Sequence, residues 1–235
     1  MSPQLLLTIL LGGVAALDAA PLAQTMLSQP LVTGTLLGML WGDWRTAFEV
    51  AIVLQLLAAS TVSLGARTAE DFAVGGVVGV GTALALSAGR PFPFAQDAAA
   101  LVGVMVGLLT ATLGSAPLKW QRRLNEGLAR WCEERLVAGD EGALARAQWA
   151  AIVLAFAVGV AYCAVCLGGA VVSLRGFYGA ESLRLARVWR LAQPLWLGLG
   201  LAQILHAFVQ RRLTRVAVFG AALIAAWLVY VVGSP

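Results

Sequence analysis

The stretch QWAAIVLAFAVGVAYCAVCLGGAVVSL, residues 148–174, carries no Asp, Glu, Lys or Arg between Arg146 and Arg175. Crossing the hydrocarbon core of a bilayer takes about 20 consecutive apolar residues, so this run reads as a membrane helix. Outward from it, further charge-free runs cover 1–17, 19–42, 50–66, 72–89, 98–117, 191–210 and 216–235. Across the 235 residues 60% are apolar and only 12% charged, against about 25% charged in soluble domains. Lipid offers the backbone no hydrogen bonds, so such spans satisfy their own amides as helices. The expected fold is all-α, a polytopic helical membrane protein.

Pro21 and Pro30 interrupt the second run, and proline inside a helix removes a donor and clashes with the preceding turn. Re-entrant or broken helices are therefore expected in the N-terminal half. The first basic residue is Arg45, whereas a cleaved secretory leader opens with positive charge, so residues 1–17 read as a retained membrane segment. The net charge of +4 and pI near 9.4 come from basic residues in short connections, where orientation signals lie. Nucleic acid is not expected as a partner. Cys163 and Cys166 form a C-x-x-C inside the apolar run, with Cys132 apart and no second pair. Metal or redox chemistry needs more soft ligands than this, so the cysteines read as small packing residues, with no metal and no cofactor expected.

Gly34, Gly38 and Gly42 recur every four residues, as do Gly75 with Gly79 and Gly103 with Gly107. Small residues at this spacing let membrane helices approach closely. The longest polar stretch, 119–147, places Trp120, Leu124, Leu128, Cys132 and Leu136 four apart and alternates Arg122, Glu126, Arg130 and Glu134 in a second row. This is an amphipathic helix outside the membrane. The chain thus divides into a membrane half at 1–117, a linker helix and loop at 118–147, and a second membrane half at 148–235. If 148–174 and 191–210 each cross once, 119–147 and 211–215 share a side holding six and three basic residues, against four in the opposite loop at 175–190. The basic side is expected to be cytoplasmic.

Polar side chains at membrane depth are costly and mark pathways. Asp18 stands beside the proline breaks, and a second cluster runs from Asp43 through Glu49 and Gln55 to Glu70 and Asp71. In the ordinary reading Asp43 caps a helix and Arg45 pairs with Glu49 one turn on. Gln55 differs, because it stands mid-run with no charge within five residues and needs a buried partner or a ligand. The segment 63–71, SLGARTAED, puts a glycine turn and two carboxylates between apolar runs. It suits either a plain loop or the mouth of a hydroxyl-binding site. His206, the only histidine, reads as a core or interface residue.

Residues 29–43, QPLVTGTLLGMLWGD, followed by Arg45-Thr46, by Leu54-Gln55-Leu56-Leu57 and by Gly65-Ala66 ahead of Asp71, resemble the membrane IIC component of the mannose/fructose/sorbose class of the bacterial sugar phosphotransferase system. Arg122-Arg123-Leu124-Asn125, Ala129-Arg130 and the closing Ala138-Gly139-Asp140 are similar to that family's linker helix, and Pro194, Gly198 and Gly200 to its late glycine-rich helix. The sequence departs from the pattern at Arg67, at Glu70 in place of proline, and in lacking a linker histidine.

The resemblance implies a multi-pass component of the bacterial cytoplasmic (inner) membrane that binds a hexose-type sugar beside a IID membrane subunit. It also implies a homotrimer of IIC–IID pairs and an elevator-like shift. The phosphoryl group is then carried by soluble IIA and IIB proteins, so the chain itself is not an enzyme and carries no phosphorylated residue. Sugar hydroxyls are held best by carboxylates and amides in fixed directions, and transporter sites favour broken helices. Gln55, Asp71 and Glu70 are the expected sugar ligands, with Asp43 and Asp18 at the rim. Two competing readings are a stand-alone ion-coupled permease, with Asp18 or Glu49 as coupling residue, and a non-transporting scaffold or sensor that docks a soluble protein on the 119–147 helix.

Overall fold

A computed structural model describes residues 2–19, 25–59, 70–89, 94–208, 213–214, 216–221 and 224, the side chains of 203–208 excepted. Pro21, most of the 63–71 segment including Arg67, the His206 side chain and Arg211 lie outside what is described. Among the described residues seven long helices follow one another: α1 Pro3–Ala19, α2 Pro30–Trp41, α3 Trp44–Ala58, α4 Phe72–Ser87, α5 Ala95–Leu113, α6 Ser115–Val137 and α7 Ala143–Phe208. No strand occurs among the described residues.

The helix ends follow from local chemistry. Pro30 opens α2 where its missing N–H is not needed. Gly42, at φ +73°, closes α2 by donating its N–H to the Gly38 carbonyl, a left-handed position that suits glycine. Asp43 then caps α3 by accepting from the Thr46 N–H at 3.1 Å, and Asp71 caps α4 by accepting from the Val74 N–H at 3.1 Å. The helices α2, α3 and α4 have only 12, 15 and 16 residues, or about 18 to 24 Å at 1.5 Å per residue, less than the ~30 Å hydrocarbon core. They are the short, broken helices expected from the proline pattern. Two helical hairpins result, α2 with α3 and α4 with α5. Their tips meet, since Gln96 Nε2 at the start of α5 donates to Asp43 Oδ1 at 3.2 Å.

Packing rests on the glycines. A Cβ at Gly79 of α4 would lie 2.7 Å from the Gly103 carbonyl oxygen of α5, and one at Gly103 equally close to the Gly79 carbonyl. Gly75 and Gly107 repeat the contact one turn along. Helix α4 is buried nearly throughout, so it is the axle of the bundle. Gly34 and Gly38 of α2 face Ala51 and Ala47 of α3 in the same manner. Gly12 of α1 lies against Cys163 of α7, and Gly159 of α7 against Ala16. Cys163 is therefore a packing residue.

Helix α6 has a single buried residue, Cys132, and ends at a turn where Gly139 has φ +86°. Beyond the turn Arg146 pairs with Asp140, and the Arg135 and Arg146 guanidinium groups lie 5.9 and 5.7 Å from the Trp131 ring centre. The amphipathic linker helix is thus present. In α7 the expected loop at 175–190 is helical instead. Its Leu, Arg, Ala and Glu content explains this, because these are strong helix formers; four arginines do not by themselves break a helix.

Straight, α7 would separate Gly159 from Gly200 by about 60 Å. Yet Gly159 packs on Ala16 and Gly200 on Leu56, both at the end of the bundle where Asp18 bonds Ser28 and Gln55 bonds Leu31. The helix folds back on itself in between, at the hairpin tips. There the buried Tyr178 donates its hydroxyl to the Ala95 carbonyl at 2.7 Å and the buried Trp189 donates its indole N–H to Glu49 at 3.1 Å. Val165, Val172, Leu191 and Leu195 stay exposed along α7, and Ala95–Val137 and Ala143–Ala202 are each long and apolar enough to cross a bilayer.

Candidate functional site

Polar side chains gather at two opposite ends of the bundle. At the first end, where Pro30 opens α2, Gln55 bridges the break. Its Oε1 accepts from the Leu31 N–H at 3.2 Å, one of the donors a helix start leaves without an internal partner, and its Nε2 donates to Gln29 Oε1 at 2.6 Å. Asp18, at the end of α1, accepts from the Thr25 N–H and hydroxyl at 2.5 and 2.7 Å and from the Ser28 N–H at 2.9 Å. It thereby fastens the segment that leads into α2. Pro30 also rests on Gly76, in the second turn of α4.

Asp71, which starts that helix, is buried, caps Val74, and donates its own N–H to the Ala111 carbonyl at 2.9 Å. Gly114 packs on its Cβ. Glu70 beside it is exposed. Four of the five expected site residues, Asp18, Gln55, Glu70 and Asp71, therefore lie at this end.

Asp43 lies at the other end, with the hairpin tips. Its Oδ1 accepts from Gln96 and the Thr46 N–H, and its Oδ2 from the Thr46 hydroxyl at 2.7 Å and from Ser87 at 3.5 Å. The expected ion pair is present too, Arg45 Nε to Glu49 Oε1 at 3.0 Å. Arg45 further donates through Nη2 to Asp97 at 3.0 Å, joining the two hairpins, and Arg190 of α7 approaches the other Asp97 oxygen at 3.9 Å. These groups surround a cavity of about 490 Å³ that also takes in Ser87, Phe94 and Ala95. Sequence reasoning had put Asp43 at the rim of the Gln55 site, not here, and missed Gln96, Asp97 and Arg190. The one available signal was that Asp97 interrupts an otherwise apolar stretch ahead of residues 98–117.

Since Asp43 is both a helix cap and the acceptor for the second hairpin, Asp43→Ala is expected to cost about 1 to 2 kcal/mol. A lowered thermal midpoint of the purified chain measures this; an unchanged midpoint would mean the tips are held by other contacts.

The family model described as "PTS system sorbose-specific iic component" matches residues 3–233. The chain belongs to the sorbose-specific IIC family of the phosphotransferase system. This IIC chain is accordingly a membrane transport component of a sugar phosphotransferase system. A comparison with curated proteins returned no match. Among solved structures, one described as "Structure of membrane protein" superposes on the IIC chain with a TM-score of 0.68 and 16% identity, covering 97% of this chain and 96% of the other. The mannose transporter ManYZ in complex with microcin E492 superposes with a TM-score of 0.58 and 16% identity, covering 97% and 95%. At these identities the likeness is one of fold.

Proposed function

We propose that this IIC chain binds a hexose-type sugar at the Pro30 end of the bundle and moves it inward for phosphorylation by a soluble IIB protein, itself charged by IIA. The observation that carries the reading is the Gln55 bridge. A side-chain amide at a broken helix holds one backbone donor and one exposed glutamine, while the Asp71 and Glu70 carboxylates stand at the start of the neighbouring helix. A sugar entering here exchanges the Gln29–Gln55 bond for bonds to its own hydroxyls, with Gln55 both donating and accepting and Asp71 accepting. Asp18 keeps the α1–α2 connection in place behind the site.

The short helices and the fold-back of α7 leave long apolar faces exposed, which suits a membrane partner as well as lipid. We assign that partner as a IID subunit, in a trimer of IIC–IID pairs within the bacterial cytoplasmic membrane. The fold likeness to a mannose transporter supports the sugar-transport reading. The test is co-expression with the candidate IID subunit. The two chains are expected to purify together in detergent and to bind a labelled hexose at equilibrium; an IIC chain that purifies alone and takes up solute on an ion gradient would overturn the proposal.

A further inference from the structure

The cavity at the hairpin tips has no part in the Gln55 site, which lies at the opposite end. Three separate parts of the chain build it: Asp43 and Arg45 from the α2–α3 turn, Phe94, Gln96 and Asp97 from the start of α5, and Arg190 from the returning part of α7. Its volume of about 490 Å³ falls in the range of small-molecule sites.

The lining sets two guanidinium groups against the Asp43 and Asp97 carboxylates, and Glu49 holds Arg45 from behind, so no excess of positive charge draws an anion and the carboxylates already face guanidinium and amide donors. Donors remain available. Arg45 commits Nε to Glu49 and Nη2 to Asp97. Arg190 lies 3.9 Å from Asp97, beyond hydrogen-bond length, and its side chain is 52% exposed. The Arg190 guanidinium is stacked 4.7 Å from the centre of the Phe94 ring. Phe94 holds that ring at the cavity with φ +69°, a conformation a phenylalanine rarely adopts and one found at ligand clamps.

Guanidinium donors beside carboxylate and amide acceptors, with an aromatic ring, match a neutral molecule whose hydroxyls donate and accept and whose C–H surface lies on a ring. We propose that the tip cavity is a second binding site for a neutral, monosaccharide-sized polyol. Sugar is thus held at both ends of the bundle, by Gln55 and Asp71 at one and by Asp97, Arg190 and Phe94 at the other. The choice of a sugar as the polyol rests on the proposed function.

The test is hexose titration of the full chain with its IID partner in nanodiscs, by calorimetry and by tryptophan fluorescence. Trp189, bonded to the Glu49 that pairs with Arg45, reports on the cavity. Two sites per chain are expected. Phe94→Gly and Arg190→Gln weaken one about tenfold and spare the other, and Gln55→Ala does the reverse. Glycine accepts φ +69° without strain, so Phe94→Gly removes the ring without straining the backbone, and an unchanged second site shows that the variant is folded.

A single site per chain, indifferent to both tip variants, overturns the proposal and leaves the Gln55 site standing. A single site lost in the tip variants alone supports this cavity and overturns the Gln55 site. Absence of hexose binding overturns both, and occupation of the cavity by inorganic phosphate in preference to hexose overturns the polyol assignment.

Discussion

Gly79→Val is expected to prevent the bundle from assembling. The new Cβ lies 2.7 Å from the Gly103 carbonyl oxygen and 2.9 Å from the Gly107 Cα. Both are backbone atoms of the facing helix, which cannot rotate away as a side chain can. Overpacking an adaptable core costs about 1 to 3 kcal/mol; here relief requires α4 and α5 to part, so a loss of about 3 kcal/mol or more is expected. Because α4 touches nearly every other helix, separating it from α5 disturbs the whole bundle. Gly127 in α6 has nothing within 4 Å of its Cβ position. Gly127→Ala should therefore gain about 0.5 to 1 kcal/mol. Thermal midpoints and size-exclusion profiles of the two variants measure the contrast, and a well-folded Gly79→Val would contradict the packing described for α4.

Gln55→Ala combined with Asp71→Asn is expected to weaken hexose binding by about 100-fold or more. Hydrogen bonds to a charged group contribute about 1.5 to 3 kcal/mol and those between neutral groups about 1 kcal/mol, and 1.4 kcal/mol is a factor of ten. Asp71→Asn keeps an oxygen to accept from the Val74 N–H, so the α4 cap survives while the carboxylate is lost. Gln55→Ala leaves the Leu31 N–H without its side-chain acceptor, and its stability change, read separately, isolates that term. Wild-type affinity in the double variant would remove these residues from the sugar site.

Much of the fold was legible because its signals are local. The spacing of Gly75 with Gly79 and of Gly103 with Gly107 announced close helix packing, and Pro30 announced the break ahead of α2; Gly42, expected to pack with Gly34 and Gly38, instead ends the helix and has nothing within 4 Å of its Cβ position. The cap at Asp43 and the Arg45–Glu49 pair follow from adjacency along one helix. The reversal between 148–174 and 191–210 was legible from the two apolar runs; that it is made without leaving the helix was not. The arginines at 175, 184, 187 and 190 looked like a loop between two spans, whereas the chain stays helical through them and turns as a helix.

The candidate site was legible in part, for a related reason. Gln55 declared itself by standing alone in an apolar run, and Asp18 by its proline neighbours. The partners that define the tip cavity are distant along the chain: Arg45 meets Asp97 and Trp189 meets Glu49. No periodicity links such positions, so Asp97 and Arg190 read as boundary charges. Asp43, named together with Gln55, proved to sit at the opposite end because α3 runs the length of the hairpin between them.

The most direct measurement of the central claim is hexose uptake into proteoliposomes holding the IIC chain and its IID partner, with phosphorylated IIB supplied on the cytoplasmic side. Sugar phosphate should accumulate only when both membrane subunits and phosphorylated IIB are present, and should be unaffected by collapsing ion gradients. Accumulation of unmodified sugar by the IIC chain alone, abolished when the ion gradient is collapsed, would contradict the account.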